Sequence, residues 1–489
     1  MSFLEKKFKL SEHGTNVRTE VMAGITTFFA MAYIIMVNPG MLADPANIMG
    51  DTALAAQISN SVFFGTCISA FIGTFLMGVL AKIPFAQASG MGLNAFFAYT
   101  VMLTLGKSYA EALAIVFISG ILFILITVLG IREAIIKAIP KNVRFAISGG
   151  IGLFIAFIGM KNAGIIVNND STFISLVDFT ALTKSAEGLA GEELAALMAS
   201  KLAVFAAIIA LIGLFVIGAL YALKVKGSVL IGIIASGILY YAIGIPTGLV
   251  DGAVFSGFSF NFVQQAKDFV DVGLFSCFTE GFPKLFANGN IAGTIVQLIV
   301  IVLSFSLVDM FDTIGTLLGT AKKANLLRED GTMDNMKEAL LCDAIATTAG
   351  AMLGTSTVTT YVESSAGIGE GGRTGLTSIV TSILFLASLV IGPFISLIPN
   401  CATAPALIAV GAMMIAGVKD LNFDDFDEAV PAFLTIAMMP LSYSIANGIA
   451  FGLISYVFIK LFKGKVKEIN WLTAVLALLF IVRYLLMAM

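Results

Sequence analysis

Fourteen mostly apolar runs recur along the chain, near residues 20–38, 60–80, 84–104, 109–130, 145–162, 201–223, 227–245, 291–319, 339–354, 355–369, 374–397, 402–418, 429–445 and 446–462. Most approach the roughly 20 residues that carry a helix across a bilayer. In lipid every backbone polar group must be satisfied within the protein, so runs of this length predict membrane helices rather than sheet. Of 489 residues, 58% are hydrophobic and 12% charged, half the charge of an ordinary soluble domain, which is about 25%. The net charge of −3 is uninformative about nucleic acid, and without a basic stripe no such partner is expected. His13 stands alone in the tail, and Cys67, Cys277, Cys342 and Cys401 are widely scattered, so neither a metal site nor a disulfide framework is expected. The polar, basic first 18 residues predict an uncleaved N-terminal tail.

Basic residues test this count, because cytoplasmic loops carry the excess of lysine and arginine. With the N-terminus inside, 21 fall on the cytoplasmic side and six outside, Arg483 being unassigned among the 28. The acid-rich loops 163–200 and 246–290 then lie outside. The stretch Trp471–Ala488 reads as either a fifteenth span or a surface helix. Ile131–Val143 and Leu421–Glu428 mix charged with apolar residues, as helices lying in the interface do. Each borders a matching span: the fifth follows Ile139-Pro140 and ends Gly159-Met160-Lys161, the twelfth follows Ile398-Pro399 and ends Gly417-Val418-Lys419. Seven spans per half place the halves in opposite orientation. An inverted repeat of this kind puts its ligand near the midplane, on discontinuous helices.

Spans three and ten occupy corresponding places and both are irregular. Pro84-Phe-Ala-Gln-Ala-Ser-Gly-Met-Gly-Leu-Asn94 turns apolar only at Ala95, and Gly354-Thr-Ser-Thr-Val-Thr-Thr-Tyr-Val-Glu363 is rich in residues that favour extended backbone. Each reads as an extended half followed by a short helix, tolerable at membrane depth only where protein or a water-filled cavity covers it. A Gly-rich packing interface is the alternative.

Three acids stand out. Asp309 and Asp312 share one face of span eight, and Glu363 lies in span ten. An acid at membrane depth costs roughly 2.5–3.5 kcal/mol on insertion scales, so such residues face cavities and carry function. Two close carboxylates resist simultaneous ionisation, which suits the Asp309/Asp312 pair to bind and release a proton. Capping or backbone pairing is the alternative for either. Asp343, near a cytoplasmic loop, reads chiefly as bonded to backbone there. Asn94 carries donors and an acceptor suited to a heterocyclic edge, or caps the helix that follows it.

At these motifs the chain resembles the nucleobase–cation symporter family, in its AzgA-like purine permease branch. The matching stretches are GITTFFAMAYIIMVNP (24–39), QASGMGLNAFFAYTV (87–101), FSLVDMFDTIGTLLG (305–319) and GTSTVTTYVESSAGIGEGGRTGL (354–376). The resemblance implies an all-α fold of fourteen spans in a 7+7 inverted repeat, with short antiparallel strands in segments 3 and 10. It implies a cytoplasmic tail (1–19), a core domain (20–130 and 291–397), a gate domain (131–245 and 398–463), an extracellular loop (246–290) and a C-terminal segment (464–489). It further implies homodimers through the gate domain.

By the same resemblance Asn94, Asp309 and Glu363 bind substrate, and Asp312 with Asp309 handles the coupling proton. Val362 stands where uracil-type relatives have glycine, which favours a purine-type pocket. The expectation is a non-enzymatic permease of the cell membrane. It would import hypoxanthine or guanine with a proton by an elevator motion and need no cofactor. An adenine or xanthine permease is the alternative. An inorganic-anion carrier of similar architecture fits the negative pocket less well. Phe96, Phe97 and Tyr99 would form aromatic walls or face lipid.

Overall fold

The computed structural model describes residues 3–130, 140–169, 171–185, 187–252, 261–287, 291–324, 326, 333, 335–395 and 397–488. The chain begins its membrane part with α1 (Val17–Met31), capped by Asn16, and after a break at Ala32-Tyr33 continues as α2 (Ile34–Ile48). α3 (Thr52–Leu76) starts on an Asp51 cap. β1 (Gln87–Ser89) leads into α4 (Met91–Ala95), whose turns widen to a π-helix over Phe96–Thr104. α5 (Tyr109–Val128) opens on a reciprocal Ser108/Glu111 capping box. α6 (Lys141–Asn162) follows, then a hairpin of β2 (Ile166–Asn169) and β3 (Phe173–Leu176). α7 (Gly191–Ala222) begins ten residues before the apolar run, with Glu192 and Glu193 matching the positive end of its dipole.

After α8 (Ser228–Gly244), α9 (Ile291–Lys323) and α10 (Met336–Met352), β4 (Val358–Thr360) precedes α11 (Ser364–Gly369). The chain ends with α12 (Gly375–Ala387), α13 (Asn400–Met414), α14 (Phe426–Leu441), α15 (Ile445–Phe462) and α16 (Trp471–Ala488). Among the described residues, eight helices are long and apolar enough to cross a membrane.

The helices pack in two groups. α1–α5 and α9–α12 pack among themselves, α2 on α3, α5 on α10 and α1 on α12, while α6–α8 and α13–α15 form the other group. The groups meet where α4 and α9 reach α6, α8 reaches α1, and α2 reaches α13. In the second group α6 and α13 cross at Gly152 and Gly411. A Cβ on Gly152 would stand 2.6 Å from the Gly411 carbonyl, and one on Gly411 would collide with the Gly152 carbonyl. Only glycine lets these backbones touch.

A buried carboxylate joins the first group. Glu20 of α1 is wholly buried and accepts from the Arg373, Thr374 and Thr377 amides at 2.9, 3.3 and 3.1 Å and from the Thr377 hydroxyl at 2.6 Å. It caps α12 from another helix.

Of the two expected interfacial helices, residues 131–139 of Ile131–Val143 lie outside the described residues. Of Leu421–Glu428, residues 421–425 are non-helical and Phe426, Asp427 and Glu428 open α14. Asn422 Oδ1 accepts the Asp424 amide at 2.9 Å, and Asn422 exchanges hydrogen bonds with Asn142, so local side-chain bonding displaces helix there. α16 packs along α15, with Tyr484 Oη donating to Asn447 Oδ1 at 3.0 Å.

Candidate functional site

β1 and β4, some 270 residues apart, pair antiparallel with Gln87 opposite Thr360, Ala88 opposite Thr359 and Ser89 opposite Val358. The ladder is extended by Gly90 N donating to Thr357 O at 3.1 Å and Tyr361 N to Ala86 O at 3.0 Å. All six strand residues are buried, which satisfies extended backbone inside the protein. α4 and α11 continue from the ladder, and α9 packs against β4, α4 and α11 together. Asn94, Asp309 and Glu363 are therefore carried by elements that meet around one ladder.

Asp309 and Asn94 are wholly buried, whereas Asp312 and Glu363 are partly accessible. Glu363 Oε1 accepts the Tyr33 hydroxyl at 2.7 Å. Asn94 Nδ2 donates to Asn38 Oδ1 at 2.7 Å, and its Oδ1 accepts the Ser356 hydroxyl. Asn94 thus ties α2, α4 and the stretch before β4 rather than capping α4, whose N-cap is Gly90. Asp312 lies within electrostatic reach of both Asp343 and Glu363. Asp343 is wholly buried and accepts the Thr313 hydroxyl at 3.0 and 3.2 Å on its two oxygens.

Three residues matter here that the sequence reading did not assign. Tyr33 sits at the α1–α2 break and Asn38 in the turn before Pro39, both inside the 24–39 motif. Asp343, read there as a backbone-bonding residue, lies within electrostatic reach of Asp312; an acid inside an apolar span was the available signal.

The aromatic residues of span three are buried, not lipid-facing. Phe96 meets Phe305 edge-on at 4.7 Å, Phe97 meets Tyr109 at 5.9 Å, and Tyr99 meets Tyr443 at 5.3 Å. Tyr99 Oη donates to Asp44 Oδ2 at 2.8 Å, and Lys161 of α6 stands 3.8 Å from that oxygen.

Acids, an amide and hydroxyls gathered around a buried strand pair inside a helical membrane protein are the parts of a solute carrier. The sequence profile of the Permease family matches residues 18–451. The chain belongs to this family, the nucleobase–cation symporters. It is a permease, not an enzyme. The guanine/hypoxanthine permease PbuG of Bacillus subtilis is 38% identical over 98% of each chain. The adenine permease AdeP of Escherichia coli is 36% identical over 98% of this chain and 95% of its own. Among solved structures, the transmembrane domain of the cyanobacterium bicarbonate transporter BicA superposes with a TM-score of 0.56 at 15% identity, covering 88% of this permease and 97% of that domain. That likeness is one of fold alone. Among the described residues no cluster of three or more His, Cys, Asp or Glu could hold a metal ion.

Proposed function

We propose that this permease imports a purine nucleobase, hypoxanthine or guanine, together with a proton. Asp309 and Glu363 would accept hydrogen bonds from ring N–H groups while Asn94 reads a carbonyl or ring nitrogen. The observation that carries this reading is that the elements bearing Asn94, Asp309 and Glu363 meet around one buried strand pair. Buried carboxylates recognise neutral N–H donors well and repel anions, which argues against an inorganic-anion substrate despite the shared fold. The substrates named for PbuG and AdeP support a purine, and adenine remains the second choice.

Asp312, placed among Asp309, Asp343 and Glu363, is the proposed proton carrier, since grouped carboxylates trade protons as one unit. In this reading fourteen spans form a 7+7 inverted repeat with the N-terminus in the cytoplasm of a cell-membrane protein. The group α1–α5 with α9–α12 acts as core and moves past the group α6–α8 with α13–α15 as gate, an elevator that dimerises through the gate. The sparse contacts between the groups support this division.

Uptake of labelled hypoxanthine into proteoliposomes after a pH jump, in sodium-free buffer and with guanine, adenine, xanthine, uracil and sulfate as competitors, tests the reading. Guanine should compete and sulfate should not, and Glu363→Gln should abolish saturable uptake. Uptake that ignores the proton gradient, or normal kinetics in Glu363→Gln, defeats it.

A further inference from the structure

We propose that Asn38 is a positioning residue that fixes which way the Asn94 amide points, through a hydrogen-bond relay whose direction is set at the Val62 carbonyl. The proposal deepens the purine reading above and rests on it for its transport readout. The relay can be followed proton by proton. The Thr66 hydroxyl has one hydrogen and donates it to Val62 O at 2.6 Å, one turn back in α3. At Thr66 Oγ1 a neighbour can then only donate.

Asn38 lies 2.7 Å away and must turn its NH₂ group toward Thr66; the same group donates to Thr355 Oγ1 at 2.9 Å. Both Asn38 hydrogens are then committed, leaving only the carbonyl oxygen to face Asn94. Asn94 must accordingly present its NH₂ to Asn38, at 2.7 Å. Its own oxygen is thereby turned to the Ser356 hydroxyl, which donates to it. Thr66, Asn38, Asn94, Thr355 and Ser356 are all wholly buried, so no water competes for these groups. In such surroundings an acceptor facing an acceptor is costly, and the alternative orientation would set oxygen against oxygen at the Thr66–Asn38 and Asn38–Asn94 contacts, while the Thr355 and Ser356 hydroxyls adapt to either.

The consequence is chemical. A free amide is ambidextrous, offering either donor or acceptor to a heterocycle, and one held by this relay is not. Asn38 therefore acts on the substrate through Asn94 and need not touch it.

The test breaks the relay at its origin, away from the pocket. Thr66→Val keeps the side-chain shape but removes the acceptor that orients Asn38, and Thr66→Ser restores it. Thr66→Val is expected to raise the KM for hypoxanthine about fivefold, the value of one neutral hydrogen bond, with the maximal rate within about twofold of the parent. It should also narrow the preference between 6-oxo and 6-amino purines, and Thr66→Ser should recover both. A Thr66→Val protein with parental KM and base preference overturns the proposal.

A ligand-free measurement separates this from the function itself. In a thermal-melt double-mutant cycle, Thr66→Val should destabilise far less in an Asn94→Ala background than alone. Strictly additive effects overturn the relay, even if no purine proves to be a substrate. Coupling in the melts without any purine uptake keeps the relay and defeats only the reading of function.

Discussion

The Tyr33 hydroxyl donates to Glu363 Oε1 at 2.7 Å, joining the break in the first membrane segment to the acid of the tenth. Hydrogen bonds to a charged acceptor contribute about 1.5–3 kcal/mol, more than neutral ones. The bond fixes the position of Glu363 Oε1. We expect Tyr33→Phe to raise the KM for a purine base at least about tenfold while the protein still inserts and folds. Radiolabelled uptake in proteoliposomes checks this, and an unchanged KM would show that the bond does not orient Glu363.

Asp312 lies within electrostatic reach of Asp343 and Glu363. Removing the charge from Asp312 should separate binding from driving force. Asp312→Asn is expected to keep purine exchange between the two sides of a loaded vesicle but to lose accumulation driven by a pH gradient. Counterflow and gradient-driven uptake, measured on the same vesicles, decide it. Full accumulation by Asp312→Asn would move the proton elsewhere in the cluster.

Asp44 and Tyr99 belong to one helix group and Lys161 to the other, with Lys161 Nζ 3.8 Å from Asp44 and 5.4 Å from the centre of the Tyr99 ring. A partly exposed pair of this kind contributes under about 1 kcal/mol, so it marks a movable contact rather than a strut. The four native cysteines are all buried, which leaves a quiet background for engineered thiols. Bridging Asp44→Cys to Lys161→Cys with a short reversible thiol reagent should arrest transport, and reduction should restore it. Undiminished transport by the bridged protein would mean that the two groups do not move apart.

Glu20 gathers four hydrogen bonds from the start of α12. Glu20→Ala would strip partners from buried amides, and each donor left unsatisfied costs about 1–3 kcal/mol. A markedly lower melting temperature in detergent is expected, with less protein reaching the membrane. Glu20→Gln should fall between, because it keeps one acceptor. A melting temperature equal to the parent's in Glu20→Ala would contradict the capping role.

Much of this was legible beforehand, because lipid imposes its rules residue by residue. Long apolar runs such as Tyr109–Val128 and Lys141–Asn162 can only be helices there, and polar, Gly-rich stretches such as 84–94 and 354–363 cannot be plain ones. The acids were visible for the same reason, as charges where charges are expensive. What escaped was partnership. Whether Asn94 caps its own helix or bonds to Asn38 depends on a helix 56 residues away along the chain. Tyr33 looked like another aromatic in an apolar run until its hydroxyl met Glu363. Leu421–Glu428 had the composition of a surface helix, but the Asn142–Asn422 exchange is a long-range fact that periodicity does not encode.

The three-residue ladder between β1 and β4 also dictates an order of events during synthesis. Gln87–Ser89 leaves the ribosome long before Val358–Thr360 exists, so the earlier strand must wait in the bilayer with its backbone unpaired or borrowed. The ladder cannot form until nearly three quarters of the chain has been translated. A fragment ending before residue 354 should therefore be recognised as unfinished by quality control, however well its individual helices insert.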